Sequence, residues 1–120
     1  RVFIHSFDWA VLQRARVLDP HLPVSALAVV GETFAPRSKW LGTVQWDDHP
    51  DDLAGAAAEL GASVVSPDFP SCTAELVEQA HARGMAVLPW TVNDPVIFGD
   101  LADLGADGVV TDLPDEMLAL

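Results

Sequence analysis

The sequence has few features that would allow crosslinking, polyanion binding or membrane insertion. Among its 120 residues the single cysteine, Cys72, excludes an internal disulfide, which fits a reducing compartment, and we expect a cytoplasmic protein. Six Lys and Arg stand against 18 Asp and Glu, and the net charge of −12 repels phosphate backbones, so nucleic acid is not an expected partner. No apolar run approaches the ~20 residues of a transmembrane segment. The chain has no low-complexity tract and is 50% hydrophobic, so we expect one globular domain.

The beginning of the chain is unusual for an intact protein. The first residue is Arg1 rather than Met, and an apolar run follows at once over Val2–Ile4. We therefore expect the natural N-terminus, with any targeting signal, to lie upstream of Arg1.

Apolar runs of strand length alternate with segments of helical periodicity along the whole chain. Helices are expected after Asp8, from Pro50 to Gly61, after Thr73 to Gly84, from Asp94–Pro95 to Gly105 and over Pro114–Leu120. Strands are predicted at Val2–Phe7, Val24–Val30, Ser63–Ser66, Met85–Val92 and Val109–Thr111. Gly31–Asp48 is predicted to be a long loop. This alternation is typical of an α/β protein with a parallel sheet.

A weak internal repeat indicates a series of similar βα units. Leu60–Ser66 and Leu104–Thr111 each read as a helix end, a glycine cap and a buried strand that ends in a polar residue. The repeat is compatible with a barrel and equally with a doubly wound open sheet.

The segment Leu88–Pro95 is the most informative for function. Its apolar strand ends in Trp90 and Asn93, directly before a capped helix. In a barrel these positions lie at the catalytic rim, where tryptophan can cover a small polyol and asparagine can donate and accept hydrogen bonds. The alternative is that Trp90 is a core residue and Asn93 a turn residue.

Five segments in order carry a resemblance to a known family. They are Ser6–Asp8, Val65–Asp68, Ala80–Gly84, Trp90–Asn93 and Gly105–Asp115, the last similar to a Gly-x-Asp-Gly-Ile-x-Thr-Asp-x-Pro-Asp ending. Together they resemble the glycerophosphodiester phosphodiesterase family from Arg1 to Leu120. The resemblance implies the C-terminal part of a TIM-type (β/α)8 barrel with parallel strands, in which residues 1–120 form the C-terminal half of one domain and the N-terminal half is absent.

The resemblance also implies a chemistry that this chain does not complete. The family hydrolyses glycerophosphodiesters to glycerol 3-phosphate and an alcohol, with a divalent cation, Mg or Ca, and two histidines as acid and base. Its His-Arg-Gly, Glu-x-Asp, His-Asp and Glu-x-Lys patterns have no counterpart at matching positions here. We therefore expect no catalytic residue and no bound metal in this chain alone. Trp90, Asn93, Ser6 and Phe7 are the expected substrate contacts.

Other residues of reactive types are weaker candidates for a functional site. His49 among Asp47, Asp48, Asp51 and Asp52 could suggest a metal, but a solvated loop and helix start explain the same residues. His5 is expected in the core, with a position lining the barrel mouth as the alternative, while His21 and His81 are expected to face solvent. Cys72 precedes a helix cap, where mild reactivity would follow from a lowered thiol pKa. Glu32–Thr33 and Lys39–Trp40 lie in the long loop, where ordinary loop residues are the preferred interpretation.

Two rival functions stay open at this stage. A half-barrel with exposed strand edges could serve as a non-catalytic binding or scaffold module that dimerises or pairs with the missing half. A barrel enzyme acting on other phosphorylated or polyol metabolites would share the architecture alone.

Overall fold

Four short strands pair in parallel, in the order in which they occur along the chain. The computed structural model describes residues 3–118. The strands are β1 (Ile4–Ser6), β2 (Val24–Ala28), β3 (Val64–Pro67) and β4 (Ala86–Val87). The helices are α1 (Trp9–Leu18), α2 (Leu53–Leu60), α3 (Ala74–Ala82), α4 (Pro95–Asp103) and α5 (Pro114–Leu118).

The strand order distinguishes between the two architectures that the sequence left open. Within residues 3–118 the order is β1-β2-β3-β4, and α1, α2 and α3 connect consecutive neighbours. A doubly wound sheet reverses its strand order at a switch point, whereas a β/α barrel adds each strand beside the previous one. The chain is a partial α/β barrel. None of the helices within residues 3–118 is long and apolar enough to cross a bilayer.

Strand register assigns the residues of the sheet to two faces. Ser6, Ala26, Val65 and Val87 are register partners and share one face, and the last three are 0% exposed, in the core with the helices. His5, Ser25, Val64 and Ala86 share the other. Because side chains alternate along a strand, Leu27, Ser66 and Leu88 belong with this second set. We call this second surface the lumen face, since it is the inner wall of the barrel.

The helix caps confirm most of the local predictions. Asp8, Thr73 and Asp94 each accept a hydrogen bond from a backbone N–H in the first turn of α1, α3 and α4. Gly61 ends α2 in the left-handed region at φ 88°. The start of α2 was predicted wrongly. Asp51 has φ 57°, which interrupts a helix, so α2 begins at Leu53 with Asp52 as its cap.

β1 and β2 are shorter than predicted, and two further strand predictions differ more from the structure. The fourth strand is regular only over Ala86–Val87, although Leu88 and Trp90 still donate to Val65 O and Pro67 O at 3.1 Å. The proline between them, Pro89, has no N–H to donate. Val109–Thr111 is not a regular strand, because only Val110 of these residues makes backbone hydrogen bonds to the segment after β4, donating to Pro89 O and accepting from Val92 N. The predicted positions Val2, Ala119 and Leu120 lie outside the described residues.

The burial of α1 also departs from its predicted stripe. Leu12 is buried as expected, but Val11 and Leu18 are 49% and 75% exposed, while Trp9 is fully buried. Trp9 stacks on Phe34 of the long loop and donates its indole N–H to Leu27 O at 3.1 Å. The loop, which includes a 3-10 turn at Trp46–Asp48, thus contributes to the core as well as covering the start of α1.

Candidate functional site

Three residues lie close together at the edge formed by the carboxyl ends of the parallel strands. Phe7 follows β1, Asp68 follows β3 and Trp90 lies beyond β4. Asp68 and Trp90 form an isolated parallel bridge in register. Asp68 is two residues beyond Ser66 and Phe7 two beyond His5, so all three belong to the lumen face. We call Phe7, Asp68 and Trp90 the rim cluster.

Trp90 is held on both its backbone and its ring. Its amide donates to Pro67 O at 3.1 Å, and its carbonyl accepts from Phe69 N at 2.7 Å. The indole N–H donates to Ser66 O at 2.7 Å, and the ring meets Phe7 edge to face with centroids 5.3 Å apart. The half-buried Trp90 ring therefore presents a fixed apolar surface at the rim.

Ser66 and Asp68 are the polar residues of the β3 segment, which neighbours Trp90. Ser66 is 2% exposed and its hydroxyl donates to Leu88 O at 2.5 Å. Asp68 lies at the start of the 3-10 turn Phe69–Ser71 but makes no side-chain capping bond. Its Oδ1 atom is buried without a hydrogen-bond partner in the part of the chain that the structure describes.

Asn93 links the β4 segment to the last part of the chain. Its Oδ1 accepts from the Thr111 hydroxyl and from Asp112 N, each at 3.0 Å. Its Nδ2 donates to Asp112 Oδ2 at 3.2 Å. The exposed amide thus has both acceptor sites in use and one donor hydrogen left, and its contact with substrate stays a prediction.

Ser6 lies on the face opposite to the rim cluster. Its register partner is Ala26, and its Oγ accepts from Asp8 N at 3.0 Å, as a local turn before α1. The structure therefore places Phe7, but not Ser6, beside Trp90. A substrate contact of Ser6 also stays a prediction.

The other candidates are engaged elsewhere. His49 Nε2 lies 2.8 Å from Glu59 Oε1, and His81 Nε2 lies 2.7 Å from Asp107 Oδ2. His5 is exposed on the lumen face, so the prediction of a core position is wrong. Within residues 3–118 no group of three or more His, Cys, Asp or Glu is arranged to hold a metal ion.

Cys72 and Asp107 have shifted pKa values. Desolvation by burial raises the pKa of the Cys72 thiol, which is 6% exposed, so the expectation of a lowered value is wrong. For Asp107, desolvation raises the pKa, but hydrogen bonds from His81 and Val87 N and the charge of His81 outweigh it, and the net direction is downward.

Asp68 is the rim residue that sequence reasoning did not select as a site. It appeared only within a family-like segment, although its position was informative. Asp68 follows a buried strand just as Trp90 does, and polar residues at the carboxyl ends of barrel strands are the usual functional positions.

Known proteins are similar to this chain in sequence and in fold. The model of the glycerophosphoryl diester phosphodiesterase family matches residues 1–116. A curated glycerophosphodiester phosphodiesterase from Bacillus altitudinis is 25% identical over 120 residues, which is all of this chain and 42% of that protein. A structure from Silicibacter pomeroyi DSS-3, provisionally named a glycerophosphoryl diester phosphodiesterase, is 38% identical with a TM-score of 0.81, covering 98% of this chain and 36% of that one.

The similarity of this chain to a third protein supports the fold alone. A phosphodiesterase from Oleispira antarctica, solved with the product sn-glycerol-3-phosphate, is 20% identical with a TM-score of 0.71, over 96% of this chain and 39% of that one. The chain thus spans about two-fifths of the length of the proteins it matches. Since the family match covers nearly every residue, the partial barrel with its rim cluster belongs to the glycerophosphoryl diester phosphodiesterase family.

Proposed function

We propose that this chain forms one wall of the substrate pocket in a phosphodiesterase that hydrolyses glycerophosphodiesters to sn-glycerol 3-phosphate and an alcohol. The supporting observation is the fixed Trp90 surface at the strand ends, in contact with Phe7. A rigid aromatic ring at this edge suits the carbon skeleton of a glycerol moiety. Family membership supports the reaction class.

The residues of this chain would bind and orient rather than transfer protons. Trp90 and Phe7 would pack on the glycerol carbons, and Asn93, with one donor hydrogen left, is the proposed hydrogen-bonding contact. Ser6 lies on the opposite face, so no contact with this glycerol is assigned to it. The residues of positions 3–118 do not fit a divalent cation site. We therefore propose that the cation, Mg or Ca, and the acid and base histidines are held by residues outside this chain. A cytoplasmic location is likewise part of the proposal.

The role of Trp90 can be tested in the full-length protein. We expect Trp90→Ala to raise KM for glycerophosphoethanolamine by about tenfold, since the lost packing is on the order of 1.4 kcal/mol. Trp40→Ala is the matched control, because Trp40 is 47% exposed in the long loop. The assay follows release of sn-glycerol 3-phosphate with Mg or Ca supplied. If the wild-type protein releases none, the proposed function is wrong.

A second candidate is a non-catalytic half-barrel that binds without hydrolysing. It is favoured by the lack of a metal-binding group within residues 3–118. Here sn-glycerol 3-phosphate would bind to the full-length protein, as measured by calorimetry, while every phosphodiester offered stays intact.

A further inference from the structure

We propose that Asp68 is a positioning residue whose carboxylate accepts a hydrogen bond from a hydroxyl group of the bound glycerol moiety. The inference rests on the proposed function and adds to it a specificity determinant for the glycerol hydroxyls. It starts from the one polar side-chain atom within residues 3–118 that is buried without a hydrogen-bond partner, Asp68 Oδ1.

The backbone around Asp68 is fixed, so its carboxylate has a defined position. Asp68 N donates to Ala28 O at 3.1 Å, and Asp68 O accepts from Ser71 N at 3.0 Å. The next residue, Phe69, donates its amide to Trp90 O at 2.7 Å. These bonds hold Asp68 beside Trp90 on the lumen face, at the strand ends where barrel enzymes bind their substrates.

Two of the neighbouring donors are committed to other acceptors. The Ser66 hydroxyl donates to Leu88 O, and the Trp90 indole N–H donates to Ser66 O. Each of these groups has a single hydrogen to donate, so neither can also satisfy Asp68 Oδ1. A buried oxygen without a partner is destabilising, and native proteins seldom leave such a group unsatisfied. Asp68 as a whole is only half-buried, so a bound hydroxyl group that reaches its carboxylate would remove this destabilisation.

The chemistry of the Asp68 carboxylate and the two aromatic rings favours a hydroxyl group as the donor to Asp68. An ionised carboxylate is an acceptor only, so it repels a phosphate oxygen but binds a hydroxyl hydrogen. Trp90 and Phe7 offer apolar surface in the same cluster. A glycerol unit has both features, with carbon atoms to pack on the rings and hydroxyl groups to donate.

The test compares two substrates and two substitutions in the full-length protein. Asp68→Leu removes the acceptor at similar volume, and Asp68→Asn keeps one carbonyl acceptor. The substrates are glycerophosphoethanolamine and its analogue in which an n-propyl group replaces glycerol. A site built to bind a hydroxyl discriminates strongly when that bond is lost. We expect Asp68→Leu to raise KM for the glycerol substrate by about tenfold or more, with Asp68→Asn intermediate.

The propyl analogue supplies the readout that a merely structural role would not produce. It has no hydroxyl for Asp68, so we expect its kcat/KM to stay within about twofold of wild type in both variants. Asp103→Asn, an exposed acid on α4, controls for loss of one charge and should leave both substrates unaffected. Binding of sn-glycerol 3-phosphate, measured by calorimetry, should weaken in parallel with the rise in KM, whereas binding of propyl phosphate should not.

Two outcomes overturn the inference separately from the proposed function. Suppose that wild type hydrolyses glycerophosphoethanolamine, but Asp68→Leu changes kcat/KM equally for both substrates or for neither. Asp68 then does not bind the glycerol hydroxyl. In that case its buried oxygen has a structural partner such as a cation or another part of the barrel. If wild type neither hydrolyses the substrate nor binds sn-glycerol 3-phosphate, the proposed function itself is wrong.

Discussion

Cys72 shows how strongly the surroundings of one residue control its chemistry. The thiol lies directly before the capping residue of α3, where a helix N-terminus would stabilise a thiolate. Burial at 6% exposure has the larger effect, because a charged sulfur loses its hydration. Burial therefore disfavours the reactive thiolate form of Cys72.

The prediction at this scale concerns thiol labelling. We expect Cys72 in the native protein to react with a disulfide reagent at pH 8 at least about tenfold more slowly than in denaturant, since only the exposed thiolate is nucleophilic. The control is a Cys72→Ser protein that carries Asp103→Cys as an exposed reference thiol. Equal native and denatured rates for Cys72 would contradict the burial.

At the scale of elements, one carboxylate connects α3, β4 and the segment after α4. Asp107 Oδ2 accepts from Val87 N and from His81 Nε2, each at 2.7 Å. Both side chains are well exposed, at 41% for His81 and 39% for Asp107, so solvent weakens the ion pair. The bond to the Val87 amide is the more important contact, because it gives a hydrogen-bond partner to a backbone N–H at the edge of the sheet.

This contact predicts a pH-dependent stability. The folded pKa of Asp107 lies below its ordinary 3.8, so the unfolded chain binds the proton first as the pH falls. The stabilisation is therefore complete well above pH 3.8 and is lost as the pH drops through the lower, folded value. We expect Asp107→Asn to cost about 1 kcal/mol at pH 7, measured by urea unfolding, and almost nothing at the acid end. Asp103→Asn is the control, and a cost that does not change with pH would contradict the assignment.

A second connection between elements runs through Asn93. Its three hydrogen bonds hold Thr111 and Asp112 against the segment after β4. We expect Asn93→Ala to free the chain before α5 and to lower the unfolding free energy by about 1–2 kcal/mol. Hydrogen exchange should quicken at the amide of Asp112, which loses its acceptor, while the amide of Val65 in β3 keeps its wild-type rate. Unchanged exchange at Asp112 would show that other contacts hold this segment.

At the scale of the whole molecule, the partial barrel leaves polar and apolar surface uncovered. Within residues 3–118, β1 is paired only with β2, so its outer edge has free backbone groups. Phe3 beside that edge is 47% exposed, and His5 lies open on the lumen face. Edges of this kind pair with other chains unless charge opposes them.

We therefore expect the 120-residue chain alone to self-associate, increasingly so at high salt, because screening weakens the repulsion between molecules of net charge −12. Sedimentation velocity at several protein and salt concentrations measures this association. Phe3→Lys should weaken it by about tenfold, since an edge lysine opposes strand pairing. Val17→Lys, at a 74% exposed position on α1, is the matched control. A monomer at every concentration and salt would contradict this prediction.

Local features of the fold could be predicted from the sequence alone. The caps Asp8, Thr73 and Asp94 and the end of α2 at Gly61 were all anticipated, because each depends on hydrogen bonds within a few residues. The buried stripe of α3 and the parallel α/β class followed from periodicity. The family followed from five short segments in order, whose match the family model confirms.

Contacts between distant segments were decided only by the tertiary structure. Strand register places Phe7, Asp68 and Trp90 on one face and Ser6 on the other, and no local pattern contains that register. The burial of Trp9, the raised pKa of Cys72 and the Asp107 contacts likewise depend on what packs against them. Propensity and capping act over one or two turns, whereas desolvation and pairing arise when distant parts of the chain meet. The sequence therefore determined the elements and the family, and the packing of those elements decided which side chains form the rim.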